Sequence, residues 1–297
     1  MNIACCWLYA ISRYGYPPSL AKTRKALTEM AAMGFKAGEL EGVREKNLKE
    51  VWRDRHELEG LCRGLGLAII NFCPVLPDLV SLDGRKRRHA VDLFEIGADL
   101  AAYFRAPTVQ IDSFTPPLEF RGTAPYKKMV RFNERYVVRV PLGFSWARQW
   151  DALVDSMRRC KRTANARGLD LLVEPRVGEM VSNTDAMLRL IEAVGPKGFG
   201  VVLDTGHQYG QKEILPLSIV KLGKAIKYVH ASDNDSLTNE HRALGDGSID
   251  WDGVMIALKR VGFDGWVGVD VGPVPGIIGA DRRSRRALER LARRHRL

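Results

Sequence analysis

Four short stretches decide the fold: LLVE (Leu171–Glu174), VVLDTGH (Val201–His207), YVHASDND (Tyr228–Asp235) and WVGVD (Trp266–Asp270). Each begins as an apolar run of strand length, and each meets an ionisable residue where the run stops. Runs of Val, Leu and Ile this short read as strands buried on both faces. Working outward, the same pattern gives eight candidate strands: Asn2–Trp7, Lys36–Glu41, Leu67–Phe72, Pro107–Asp112, Asp170–Glu174, Phe199–Asp204, Ile226–His230 and Trp266–Asp270. Helical stretches lie between them. Ser145 caps one that runs to about Arg167, with Trp150, Leu153, Val154, Met157 and Cys160 on one stripe and Gly168 beyond its end. Ser182 or Asn183 opens a shorter helix that stops at Gly195, and Asp250 opens one that stops near Gly262. Eight strands alternating with helices over 297 residues predict a single (β/α)8 TIM barrel spanning 1–297. A doubly wound sheet is the alternative. Against it, no strand is followed by GxGxxG or GxxxxGK[ST], the phosphate cradles of nucleotide-binding folds. One long irregular stretch, Ser113–Phe144, follows the fourth strand. Its prolines (Pro116, Pro117, Pro125, Pro141) and aromatics (Phe114, Tyr126, Phe132, Tyr136, Phe144) predict a folded lid or a contact between copies of a homo-oligomer.

Composition narrows the class. The chain is 45% apolar and 27% charged, too apolar and too balanced for a disordered chain. No apolar run is long enough to cross a bilayer, and the start Ile3–Ile11 lacks a basic leader region and a small-residue cleavage site. Cys5, Cys6, Cys62, Cys73 and Cys160 are odd in number and lack CxxC spacing, so a reducing cytoplasm is the expected home. The formal charge of +11 raises the question of nucleic acid. It is concentrated in two places: eight arginines against two acids in 281–297, and Arg85, Lys86, Arg87 and Arg88. Both segments belong to outer helices of a barrel, so they supply no positive channel at its mouth, and no nucleic-acid partner is expected.

In a barrel the chemistry sits at the C-terminal ends of the strands. There the chain places Glu174, Asp204, His230 and Asp270 on four consecutive strands, with His207 three residues past Asp204. Each has an ordinary alternative, since strand-end carboxylates cap helices and single histidines are often core residues. Four such residues in a row are better explained together. Three carboxylates converging on one point repel unless a cation lies between them, and oxygen ligands with one imidazole suit a divalent metal. Mn²⁺ is the leading expectation, with Mg²⁺, Co²⁺ and Zn²⁺ compatible.

These motifs, together with EHRALGDGSIDW (Glu240–Trp251), resemble the xylose-isomerase-like TIM barrels. That superfamily holds sugar and sugar-phosphate isomerases and epimerases, keto-inositol dehydratases and the endonuclease IV type of AP endonuclease. The resemblance is clearest over 171–272. It implies one divalent metal on the residues matching Glu174, Asp204, His230 and Asp270, and a substrate-facing His207. Two departures stand out. The family's eighth-strand ligand is usually Glu, where this chain has Asp270. The ketose epimerases tend to carry Arg where this chain has His241, which is closer to the inositol-handling and endonuclease branches. The endonuclease branch also draws His from the third and fourth strands. Here those strands end in Asn71-Phe72-Cys73 and Asp112-Ser113, and Asn239 stands where an Asp–x–His pair would begin, so DNA repair is disfavoured.

The expected reaction is isomerisation or epimerisation of a sugar or inositol through an enediolate. Glu174 and Asp270 would remove and return the proton, with His207 assisting. The alternative is a keto-polyol dehydratase or C-glycoside-cleaving lyase, with His207 or His241 as the acid. A nuclease or a non-catalytic binding barrel is the reading from another class. Candidate substrate contacts are His241, Arg176, Glu39, Glu41, Trp7, Asp112 and Lys212. Arg176 would make a forked contact to a substrate oxygen or an ion pair within the mouth, Trp7 and Phe72 an apolar wall. Cys73 has no activating His nearby in sequence, and Gly245 and Gly247 read as a turn.

Overall fold

The Val/Ile/Leu runs pair in parallel in chain order. In a computed structural model describing residues 1–122, 124, 131 and 133–297, eight strands close a barrel. They are β1 (Asn2–Cys5), β2 (Ala37–Val43), β3 (Ala68–Val75), β4 (Thr108–Asp112), β7 (Asp170–Glu174), β8 (Phe199–Asp204), β9 (Ile226–Ala231) and β10 (Trp266–Val269). The ring closes where β1 pairs with both β10 and β2. The strands between β4 and β7 are a small antiparallel hairpin, β5 (Glu119–Arg121) and β6 (Val137–Arg139), in the long loop. Helices follow the strands, with α1 (Leu8–Tyr14) and α7 (Thr205–Gly210) at the mouth and α2 (Leu20–Ala32), α3 (Arg44–Leu65), α4 (Gly84–Tyr103), α5 (Trp146–Asn165), α6 (Thr184–Val194), α8 (Leu215–Leu222), α9 (Trp251–Arg260) and α10 (Ile277–His295) around the outside.

The caps fall where the sequence predicts. Ser145, Asn183 and Asp250 accept the amides of Arg148, Ala186 and Gly253, which closes the open first turns of α5, α6 and α9. Two strands outrun their expected ends, because β2 and β3 stay paired with each other up to Val43 and Val75.

Period-two alternation then sorts the side chains. Leu171, Val173, Val201, Leu203, Val229, Val267 and Val269 join the large core between sheet and helices. Leu172, Val202, Tyr228, Ala4, Cys6, Ala37 and Ile70 fill a second cluster within the barrel. Stepping two residues from Leu172, Val202 and Tyr228 leads to Glu174, Asp204 and His230, so the same parity that fills the barrel delivers those three to its mouth. Gly268 holds the corresponding inward place on β10. A Cβ there would run into Cys6 Sγ and the Tyr228 hydroxyl, so its absence makes room for the Tyr228 ring, and Asp270 follows two residues later.

The loop after β4 is folded over part of its length. Phe114 is buried, and Phe120 meets Tyr136 edge-on at 6.1 Å between ring centres. Arg131 bridges to Thr238, so this loop reaches the one that follows β9. Tyr126 and Phe132 lie outside the described residues. Among the described residues no helix is long and apolar enough to cross a membrane. The five cysteines are free and buried.

Candidate metal centre and ligand cavity

A cavity of about 90 Å³ opens at the C-terminal ends of the strands. It is lined by Glu41, Cys73, Gln110, Asp112, Glu174, Arg176, Asp204, His207, His230, His241 and Asp270, with Leu8 and Ile11 as its apolar side. A larger hollow of about 500 Å³ lies at the other end, where strands β3 and β10 begin, around Leu67–Ile70 and Trp266. It gathers no comparable set of titratable groups, so the smaller cavity is the candidate for chemistry.

His230 is gripped from two sides. Its Nδ1 lies 3.0 Å from Glu174 Oε1 and its Nε2 lies 3.1 Å from Glu39 Oε1. Glu39 sits behind the cavity in a polar belt inside the barrel. Its carboxylate accepts the Trp7 amide at 2.9 Å and the Asn71 amide at 3.1 Å. Asn71 also donates to Gln110 Oε1 at 2.8 Å, and Gln110 donates to Glu174 Oε2 at 3.0 Å. Burial pushes the His230 pKa down, but the acidic groups around it, Glu39 and Glu174 among them, win and hold it well above the usual imidazole range. Burial likewise works to raise Glu174, and is outweighed by His230 and then Arg176, which keep it below the usual carboxylate range.

Asp204 does two things. Oδ1 accepts the His207 amide at 2.8 Å and caps α7, so the ordinary capping role is real. Oδ2 is buried and has no hydrogen-bond partner. Burial, with Asp270 and Glu174 adding to it against His241, lifts this carboxyl to about 7. An acid held this way is stabilised by a cation. Three ligand atoms from Glu174, Asp204 and His230 lie within 4.8 Å of one another, as do three from Asp204, His207 and His241. The first trio, with an orphaned oxygen and a ring oriented from behind by Glu39, fits a divalent ion.

Asp270 is turned toward His241, whose Nδ1 lies 2.9 Å from Asp270 Oδ2 and 3.1 Å from Ser232 Oγ. The same nitrogen is 3.9 Å from Asp204 Oδ2. Burial opposes the charge on His241, but Asp204 and the Asp270 bond lift it to about 9. The His207 ring stands perpendicular to it at 5.0 Å, and burial, then His241, pushes His207 well below the usual range. Across the mouth, Arg176 Nη1 donates to Asp112 Oδ2 at 2.8 Å.

Seven of the residues singled out from sequence as substrate contacts therefore divide. His241, Arg176, Glu41 and Asp112 line the cavity. Glu39 stands behind it, and Trp7 is packed in the core with only its amide committed to Glu39. Lys212, in left-handed backbone at φ 68°, turns to the Ser236 hydroxyl at 2.7 Å, and it does not line the cavity. Three contributors escape sequence reasoning. Gln110 and Asn71 lie within strands, where only alternation around Val109 and Phe72 would point them inward. Tyr16, in the loop after α1, is half exposed; burial of its inner part, then the charges of Glu41, Asp112 and Cys73 on the cavity wall, raises its phenol.

The closed parallel barrel with ligand-type residues at its mouth defines a class, the metal-competent TIM barrels. Within it, the chain belongs to the xylose isomerase-like TIM barrel family, whose model matches residues 27–293. Among curated relatives it is similar to an inosose dehydratase of Geobacillus thermodenitrificans, at 27% identity over 146 residues, 43% of this chain and 49% of that one. The chain thus matches about half the length of that relative. Among solved structures it is similar to L-ribulose 3-epimerase (TM-score 0.75, 17% identity, 100% of this chain and 96% of that one). It is also similar to the IolI protein with a bound zinc atom (TM-score 0.73, 16% identity, 99% of each chain).

Proposed function

We propose that this protein is a divalent-metal-dependent enzyme acting on a keto-polyol, and that its reaction is elimination of water. The observation that carries the reading is the Asp270–His241 pair at 2.9 Å. The second carboxylate is an Asp, one methylene shorter than Glu174, and its Oδ2 is paired with His241, so what stands opposite Glu174 in the same cavity is an acid–imidazole pair that can give a proton. The match to inosose dehydratase supports the same reading.

Glu174, Asp204 and His230 would hold the metal, with Asp270 as the further ligand that the family resemblance implies. When bound, a divalent cation there polarises a carbonyl oxygen and stabilises the negative charge that proton loss creates. Glu174 takes the proton from the carbon beside the carbonyl. His241 gives a proton to the hydroxyl on the next carbon. The C–O bond breaks, water leaves, and the electron pair from the C–H bond becomes the new C=C. Asp270 holds the His241 ring and its tautomer through Nδ1. His207, kept neutral by burial, can accept a substrate hydroxyl hydrogen bond at one ring nitrogen and donate one from the other.

Epimerisation or isomerisation is the second reading, favoured by one observation: Glu174 and Asp270 line the same cavity from different strands. The test is metal analysis of the purified protein, followed by NMR in D₂O with a panel of keto-inositols and ketoses. Loss of water with an enone product is expected. Carbon-bound exchange giving an epimer instead would establish the second reading. Glu174→Gln should lower turnover by at least about 100-fold while the fold persists. Full activity in that variant, or in metal-free protein, would overturn both.

A further inference from the structure

Glu41 and Asp112 are the lining acids that the reaction does not use. They come from β2 and β4, on the side of the mouth facing away from β8 and β10. Asp112 is buried at 3% exposure. Its Oδ2 is engaged by Arg176, while its Oδ1 is buried without a hydrogen-bond partner. Glu41 Oε2 is in the same state. Both belong to the wall of the cavity. A buried carboxylate oxygen left alone is costly, and a hydrogen-bond donor on the ligand relieves it. A hydroxyl supplies that donor. Phosphate and carboxylate groups offer mainly acceptors and add negative charge.

We infer that Glu41 and Asp112 form a specificity pair that holds hydroxyl groups on the part of the substrate remote from the reacting carbons, and that the site rejects phosphorylated polyols. The inference rests on reading the cavity as a polyol site and names the class of polyol. Arg176 is the residue type that clamps phosphates, but its Nη1 is engaged by Asp112 at 2.8 Å and its Nε lies 3.8 Å from Glu174 Oε2. Among the described residues it is the only Lys or Arg on the cavity wall, against five carboxylates: Glu41, Asp112, Glu174, Asp204 and Asp270. An added phosphate would bring acceptors, not donors, to Asp112 Oδ1 and Glu41 Oε2, and it would have to break the Asp112–Arg176 pair to find a donor of its own.

The test is calorimetric titration of metal-loaded protein with two matched pairs of probes, myo-inositol with its monophosphate and D-fructose with its 6-phosphate. The unphosphorylated member should bind at least about 100-fold more tightly than its phosphate, the scale on which a site built for a hydroxyl discriminates. Glu41→Gln should narrow that ratio about tenfold, by weakening the neutral ligand and relaxing the acceptor–acceptor repulsion. Asp112→Asn gives the same comparison where Glu41→Gln does not fold. Equal or tighter binding of the phosphates, or a ratio unmoved in the folded variants, overturns the selection and leaves the polyol reading standing. Failure of every probe to bind overturns both.

Discussion

At the scale of the residue, Asp204 shows how one side chain can satisfy two demands. Its Oδ1 closes the first turn of α7 through the His207 amide, and its Oδ2 faces the Glu174–His230 pair without a partner. The two roles separate chemically. Asn caps a helix about as well as Asp, because the cap uses a single acceptor oxygen. A neutral amide oxygen is a much weaker metal ligand than a carboxylate. Asp204→Asn should therefore leave the melting temperature in EDTA within about 2 °C of wild type and weaken metal affinity by at least about tenfold, measured by titration with Mn²⁺ and Zn²⁺. A large loss of stability without metal would mean that the charge, not the acceptor, supports α7. Unchanged metal affinity would remove Asp204 from the ligand set.

At the scale of the element, α10 carries an unusual buried group. The helix docks on β1 and β10 through Ile277, Ala280, Ser284 and Leu288, and Asp281 lies in the same face with no exposure. Neither of its carboxylate oxygens has a hydrogen-bond partner. Burial, with Asp270 adding to it, raises its pKa to about 8, and the Cys5 thiol on β1 is the other ionisable neighbour. The sign follows from proton counts. Between about pH 4 and pH 8 the folded protein holds a proton on Asp281 that the unfolded chain has lost, so this group's stability contribution is full below pH 4 and drains away up to pH 8. Asp281→Asn removes that slope. Wild type loses about 4 kcal/mol from this group between pH 5 and pH 8, so the variant's melting temperature relative to wild type should rise by roughly 8–16 °C over that range, taking 2–4 °C per kcal/mol for a domain of this size. A difference that does not change with pH would mean that Asp281 ionises as freely folded as unfolded.

The same scale explains what could be read from the chain. The strands were legible because a strand buried on both faces must be apolar along its length, and the mouth acids because a charge ending such a run has nowhere else to point. The helix caps at Ser145, Asn183 and Asp250 were legible because the capping oxygen and the amide it accepts are three residues apart. The Asp270–His241 pair was not, since it joins two loops 29 residues apart and exists only once β9 and β10 are in register. Lys212 was misplaced for a local reason: its left-handed backbone turns the side chain out to Ser236. Tyr16 follows a short helix and carries no periodic signal.

At the scale of the whole molecule, charge and metal divide the barrel into an outside and an inside. The arginines of α10 stay on the outer face, where Arg283 meets Asp246 at 3.2 Å, Arg294 meets Asp252 at 3.1 Å and Arg285 meets Glu289 within the helix. Exposed pairs of this kind contribute little each. The mouth is the reverse, with carboxylates crowded onto consecutive strands and stabilised by histidines and one arginine. A cation bound there ties β7, β8 and β9 together at the end where their side chains repel. Because the unfolded chain cannot present Glu174, Asp204 and His230 together, binding favours the folded state alone. At a metal concentration about 100 times Kd the gain is about 2.7 kcal/mol, which for this size is a rise of roughly 5–10 °C in Tm. Calorimetric scans of EDTA-treated protein with and without added Mn²⁺, Mg²⁺, Co²⁺ or Zn²⁺ measure it, and the order of the shifts ranks the ions. Glu174→Gln should lose most of the shift while melting near wild type without metal. If none of the four ions moves Tm, the crowded acids are not a metal centre, and their histidine partners alone must keep the mouth of the barrel together.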